Sequence, residues 1–90
     1  MYAMDIKDPI VQAKFKKIVL VVYKIFNHVT KLNPICIDKF RWYAPTNNLE
    51  ILKIICLNGD IKTILPDQVP NNLMNQFNLA YQDIIQYNSK

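Results

Sequence analysis

Val11, Phe15, Ile18, Val22, Ile25, Val29 and Leu32 recur at alternating intervals of four and three residues. That spacing lays one apolar stripe along a helix. Asp8-Pro9 supplies a start: an Asp side chain accepts from the orphan amides of a first turn, and Pro at the first helical position has no amide to satisfy. Asn33-Pro34 supplies a stop, because the residue before Pro is pushed out of the helical region. The pattern predicts a long helix over 9–32. Only the branched stretch Ile18–Val22 works against it, since branched side chains lose rotamer freedom in a helix.

Beyond Pro34 the period shortens. Ile35 to Tyr43 reads as a strand, with Ile35 and Ile37 on one face and Phe40 and Trp42 on the other, which calls for a bulge near Asp38-Lys39. Pro45 to Asn48 is turn material. Leu49 to Leu65 has two readings. As a hairpin closed by Asn58-Gly59 it sets Leu52, Ile54, Cys56, Ile61, Thr63 and Leu65 on one largely apolar face. As a helix it would be capped by Asn47 and stopped by Gly59. Branched content and the alternation from Asp60 to Leu65 favour the hairpin. After a loop over Pro66–Pro70, Asn71 or Asn72 caps a last helix that buries Leu73, Phe77, Ala80, Tyr81 and Ile84. The predicted fold is α+β in the order α-β-β-β-α: a three-stranded antiparallel sheet with the long N-terminal helix and the C-terminal helix packed on one face. Residues 1–90 form a single small domain.

Composition narrows the chemistry. A single Gly (Gly59) rules out a Gly-rich phosphate cradle, and a single His (His28) rules out a two-His metal site. No metal or cofactor is expected. Cys36 and Cys56 have neither zinc-knuckle nor CxxC spacing and read as small core residues, and a disulfide between them stays open. The four acids Asp38, Asp60, Asp67 and Asp83 have no spacing that pairs two carboxylates on one face, so acid/base hydrolysis has no support. Ser89 is in the tail and His28 on an exposed face, so no nucleophile–base pair can be argued. The longest apolar run, Ile18 to Tyr23, is too short to span a membrane. Asp5 and Asp8 sit where a signal peptide would be positive. The expected location is cytoplasmic, with both thiols reduced.

The net charge of +4 is uneven. Residues 1–45 hold eight basic and three acidic side chains, residues 46–90 three and four, so an acidic partner should approach the first half. Thirteen Ile, ten Asn and ten Lys are also what an AT-rich gene encodes, so part of the lysine excess reflects codon composition. At about 100° per residue, Lys14, Lys17, Lys24, His28 and Lys31 share a sector beside the apolar stripe. They could track a phosphate backbone, or form a solvated face whose stems cover apolar surface. Residues Lys39 to Tyr43 concentrate the types that dominate interfaces. Phe40 and Trp42 share one strand face, which is expected inside, and Lys39, Arg41 and Tyr43 the other. The same outward row could stack single-stranded bases.

The α-β-β-β-α order is also that of double-stranded-RNA-binding domains, which carry a Lys pair at the start of the final helix. Here Asn71, Asn72, Leu73 and Met74 occupy that position, and order alone assigns no family. The sequence therefore points first to a non-enzymatic protein-binding module: an inhibitor, immunity-type or accessory protein from a mobile element of an AT-rich genome. Its partner-binding residues are Lys39, Arg41, Trp42 and Tyr43. The alternative is a nucleic-acid-binding protein using Lys14, Lys17, Lys24, His28 and Lys31. A homodimer is the third arrangement, with the helix end at Val29–Leu32 or the flank at Val19 and Phe26 packing on a twin.

Overall fold

The computed structural model of the chain describes residues 8–46 and 48–88. Helix α1 covers Pro9–Thr30, strands β1, β2 and β3 cover Ile37–Tyr43, Ile51–Cys56 and Ile61–Ile64, and helix α2 covers Asn71–Asn88. The sheet is an antiparallel meander in the order β1-β2-β3. Both helices lie on one of its faces and pack against each other, giving the expected α+β order. Among the described residues no helix is long and apolar enough to cross a membrane.

The start of α1 follows the Asp8-Pro9 signal. Asp8 accepts from the Ile10 amide at 2.9 Å, and its second carboxylate oxygen accepts from the Tyr87 hydroxyl of α2 at 2.8 Å. The end comes two residues earlier than the Asn33-Pro34 stop implies. Lys31 takes the left-handed conformation (φ 62°) and its amide reaches the Asn27 carbonyl at 2.8 Å. Thr30 Oγ1 donates back to the Phe26 carbonyl and accepts the Leu32 amide, so its hydroxyl replaces the next helical bond. Leu32 is thus off the stripe and 43% exposed.

The strand expected from Ile35 begins at Ile37. Asn33 Oδ1 accepts from the Ile35 amide and caps a 3₁₀ turn over Pro34–Cys36, which leaves Ile35 exposed. The bulge stands where expected: the register shifts between Ile37 and Lys39, leaving Asp38 as the extra residue. Beyond it Phe40 and Trp42 turn towards the helices, and Arg41 and Tyr43 away.

The β2–β3 segment is a hairpin, with one correction. Cys56 pairs with Asp60 through a 2.8 Å amide–carbonyl bond, the Gly59 amide donates to the Cys56 carbonyl at 2.9 Å, and Gly59 has φ 92°. That is a three-residue loop, Leu57-Asn58-Gly59, closed by a left-handed glycine, and not a two-residue turn. The extra residue slips β3 by one, and a slip of one exchanges the faces of a strand. Leu52 therefore faces Ile64 and Ile54 faces Lys62. Ile64 is buried, while Ile61, Thr63 and Leu65, expected on the apolar face, are exposed.

Helix α2 begins at Asn71 itself, so neither Asn71 nor Asn72 stands outside the helix as its cap; the Met74 amide already bonds to the Pro70 carbonyl at 2.9 Å. Phe77, Tyr81 and Ile84 are buried, with Leu73 and Ala80 packed beside them. The core joins these to Ile18, Val22, Ile25 and Phe26 of α1 and to Leu52, Ile54 and Ile64 of the sheet. Full burial of each such side chain contributes roughly 1.5–3 kcal/mol. Of the flank proposed for a twin, Phe26 has no exposed surface and belongs to the chain's own core, while Val19 is half-buried. Phe26 is enclosed because α1 packs in a core shared with the sheet and α2, which needs a wider apolar sector than one stripe.

Candidate functional site

With both helices on one side of the sheet, the other side is bare. Alternation along each strand fixes what stands on it. After the bulge, β1 presents Lys39, Arg41 and Tyr43, all exposed. Buried Leu52, Ile54 and Cys56 on β2 leave Ile51, Lys53 and Ile55 outward, and buried Ile64 on β3 leaves Ile61 and Thr63 outward. Cross-strand register gathers them: Arg41 is opposite Lys53, Tyr43 opposite Ile51, Lys39 opposite Ile55, and Ile55 opposite Ile61.

The result is two apolar pairs, Tyr43 with Ile51 and Ile55 with Ile61, on either side of the row Arg41, Lys53 and Thr63, with Lys39 beside Ile55. No carboxylate occupies these outward strand positions. Side chains directly opposite on an antiparallel pair have Cβ atoms only about 4.5–5.5 Å apart, so the Arg41 and Lys53 stems start as close neighbours. Such a face can bind a flat partner surface that brings carboxylates to the cations and apolar groups to the pairs on either side of them.

Trp42 does not share this face. Its ring lies edge-on to Phe77 at 5.8 Å and Tyr81 at 5.6 Å, and stacks with Phe40 at 5.9 Å, with Phe15 of α1 at 6.3 Å. Of the four partner-binding candidates, Lys39, Arg41 and Tyr43 come together on the sheet face and Trp42 joins the core cluster. Lys53, Ile51 and Ile55 were missed by the sequence reading. Their signal was present in the period-two alternation of Leu52, Ile54 and Cys56, which leaves the intervening residues outward.

The helical cations differ in their surroundings. Lys14 turns towards α2, where its Nζ lies 2.7 Å from Asp83 Oδ2 and 5.7 Å from the centre of the Tyr87 ring. Lys17 and Lys24 line an open groove of about 440 Å³ between α1 and α2, with Leu20, Leu79 and Asp83 among its other walls. His28 is exposed in the last turn of α1, and Lys31 stands beyond the helix end. Among the described residues no three His, Cys, Asp or Glu side chains gather as metal ligands. No protein-family model, curated protein or solved structure matches the chain.

Proposed function

We propose that the chain is a non-enzymatic binding module that docks an acidic protein surface on the bare face of its sheet. One observation carries the reading: Lys39, Arg41 and Lys53 stand with Tyr43, Ile51, Ile55 and Ile61 on a single outward face whose paired strand positions hold no acid, the nearest strand carboxylate being the exposed bulge residue Asp38. Arg and Tyr are over-represented among the residues that dominate binding energy, and a patch of one charge sign speeds the approach of its opposite. Inhibitor and immunity-type proteins are the class this description fits.

The test compares the wild type with an Arg41→Ala/Tyr43→Ala double variant in capture of interacting proteins from the source cell. An acidic protein retained by the wild type and lost by the variant, with thermal unfolding unchanged, supports the reading. Equal capture by both proteins removes the sheet face from the function, and an unfolded variant removes the site assignment. A parallel titration with short DNA and RNA completes the experiment. Nucleic-acid binding that survives the double variant but is lost in Lys17→Glu/Lys24→Glu moves the function to the helical groove.

A further inference from the structure

Cys36 and Cys56 lie twenty positions apart in sequence, yet the bulged start of β1 brings them side by side. Ile37 is the cross-strand partner of Cys56, and the Leu57 amide donates to the Cys36 carbonyl at 2.8 Å. Cys36 is therefore one step removed from Cys56 on the adjoining strand end. Strands about 5 Å apart with about 3.4 Å between residues place such neighbours at a Cα separation of about 6 Å, inside the range a disulfide bridges. The two cysteines pack on the same apolar core. Both are free in this structure.

We propose that Cys36 and Cys56 are a reversible dithiol–disulfide pair, closed by a low-molecular-weight disulfide oxidant, whose ring encloses β1 and β2. The two sulfurs are unequal in a way that assigns their parts. Cys36 is half-buried at the surface, whereas Cys56 is 5% exposed. Cys36 is thus the sulfur an oxidant meets. Its thiolate attacks one sulfur of the oxidant, the oxidant's S–S bond breaks, and one thiol leaves. Cys56 then loses its proton and attacks the Cys36 sulfur of the mixed disulfide, expelling the second thiol. Overall the two cysteines give up two electrons and two protons, and one disulfide becomes two thiols. Burial first, and the neighbouring Cys36 thiol second, push the Cys56 thiol up, so the second step is the slower.

The experiment equilibrates the full chain, folded and in guanidinium, with graded ratios of oxidised to reduced glutathione. Remaining thiols are alkylated and the intact mass is measured. Native geometry built for the bond predicts a monomer lighter by two hydrogen atoms and free of alkylation. It should form about a hundredfold more readily in the folded chain than in the denatured one, the ratio expected for a ring of this size. The denaturation midpoint should rise on oxidation. A folded chain that accumulates only the glutathione adduct, or closes the ring no more readily than the denatured chain, overturns the proposal. Because both samples are the wild-type chain, no cysteine variant has to fold.

Discussion

Arg41 and Lys53 stand directly opposite each other across β1 and β2, two like charges in register on the bare face of the sheet. Like charges at opposed positions destabilise an antiparallel pair. A sheet selected for stability alone would place an acid at one of them. Replacing Lys53 by Glu is expected to stabilise the fold by about 0.5 kcal/mol at low salt and to weaken binding of an acidic partner. Chemical denaturation of K53E together with partner titration measures both, and a variant that loses stability contradicts the pairing.

The ion pair between Lys14 and Asp83 is the charged clasp between the two helices, at 2.7 Å and only partly exposed. Removing either end is expected to cost about 0.5–1 kcal/mol, the upper part of the range for ion pairs at a surface. Removing both should cost less than the sum of the single changes. A double-mutant cycle with Lys14→Met and Asp83→Asn reads the coupling directly. Additive losses would mean that the two side chains do not interact in solution.

Asp8 ties the start of α1 to the end of α2. The Tyr87 hydroxyl bond, then the Ile10 amide bond, hold its carboxyl below the ordinary Asp value of 3.8. A carboxylate whose folded pKa is depressed contributes stability above its unfolded pKa and loses it as the pH falls through the folded one. Unfolding free energy should therefore fall below about pH 4. Asp8→Ser, which keeps a capping oxygen without a titrating group, should lose part of that dependence. Parallel denaturation curves at pH 7 and pH 3 decide it. An unchanged acid slope in D8S places the titration elsewhere.

Gly59 closes the β2–β3 loop at φ 92°, with open space where a Cβ would stand. The obstacle to a side chain is therefore backbone strain and not a clash. Gly59→Ala is expected to destabilise by about 1–2 kcal/mol and Gly59→Asn by less, since Asn tolerates the left-handed region. Equal losses in the two variants would point to a cause other than φ.

How far the fold could be read depended on whether the deciding interactions were local. The α1 stripe, the Asp8-Pro9 start and the bulge at Asp38 follow from spacing and cap chemistry within a few residues. The register of β3 did not. Two-residue and three-residue loops both fit the sequence around Asn58-Gly59, and the choice between them decides whether Ile61 or Ile64 enters the core. The burial of Phe26 was hidden for a different reason: it depends on how the sheet and α2 close a common core around α1, which spacing within the helix does not state. At the candidate site, Lys39, Arg41 and Tyr43 could be separated from Phe40 and Trp42 by alternation alone. Their meeting with Lys53 needed the cross-strand register.

The bare sheet face also governs how copies of the protein meet in concentrated solution. Stacking two such faces would bring the cations of each copy against those of the other, while Tyr43, Ile51, Ile55 and Ile61 would favour the contact. At low ionic strength the repulsion extends beyond the reach of the apolar attraction, and the copies stay apart. In about 1 M salt the screening length falls to roughly 3 Å, and that protection is lost. Lys39, Arg41 and Lys53 are thus gatekeepers of colloidal behaviour, and the protein should salt out through the same surface proposed to dock an acidic partner.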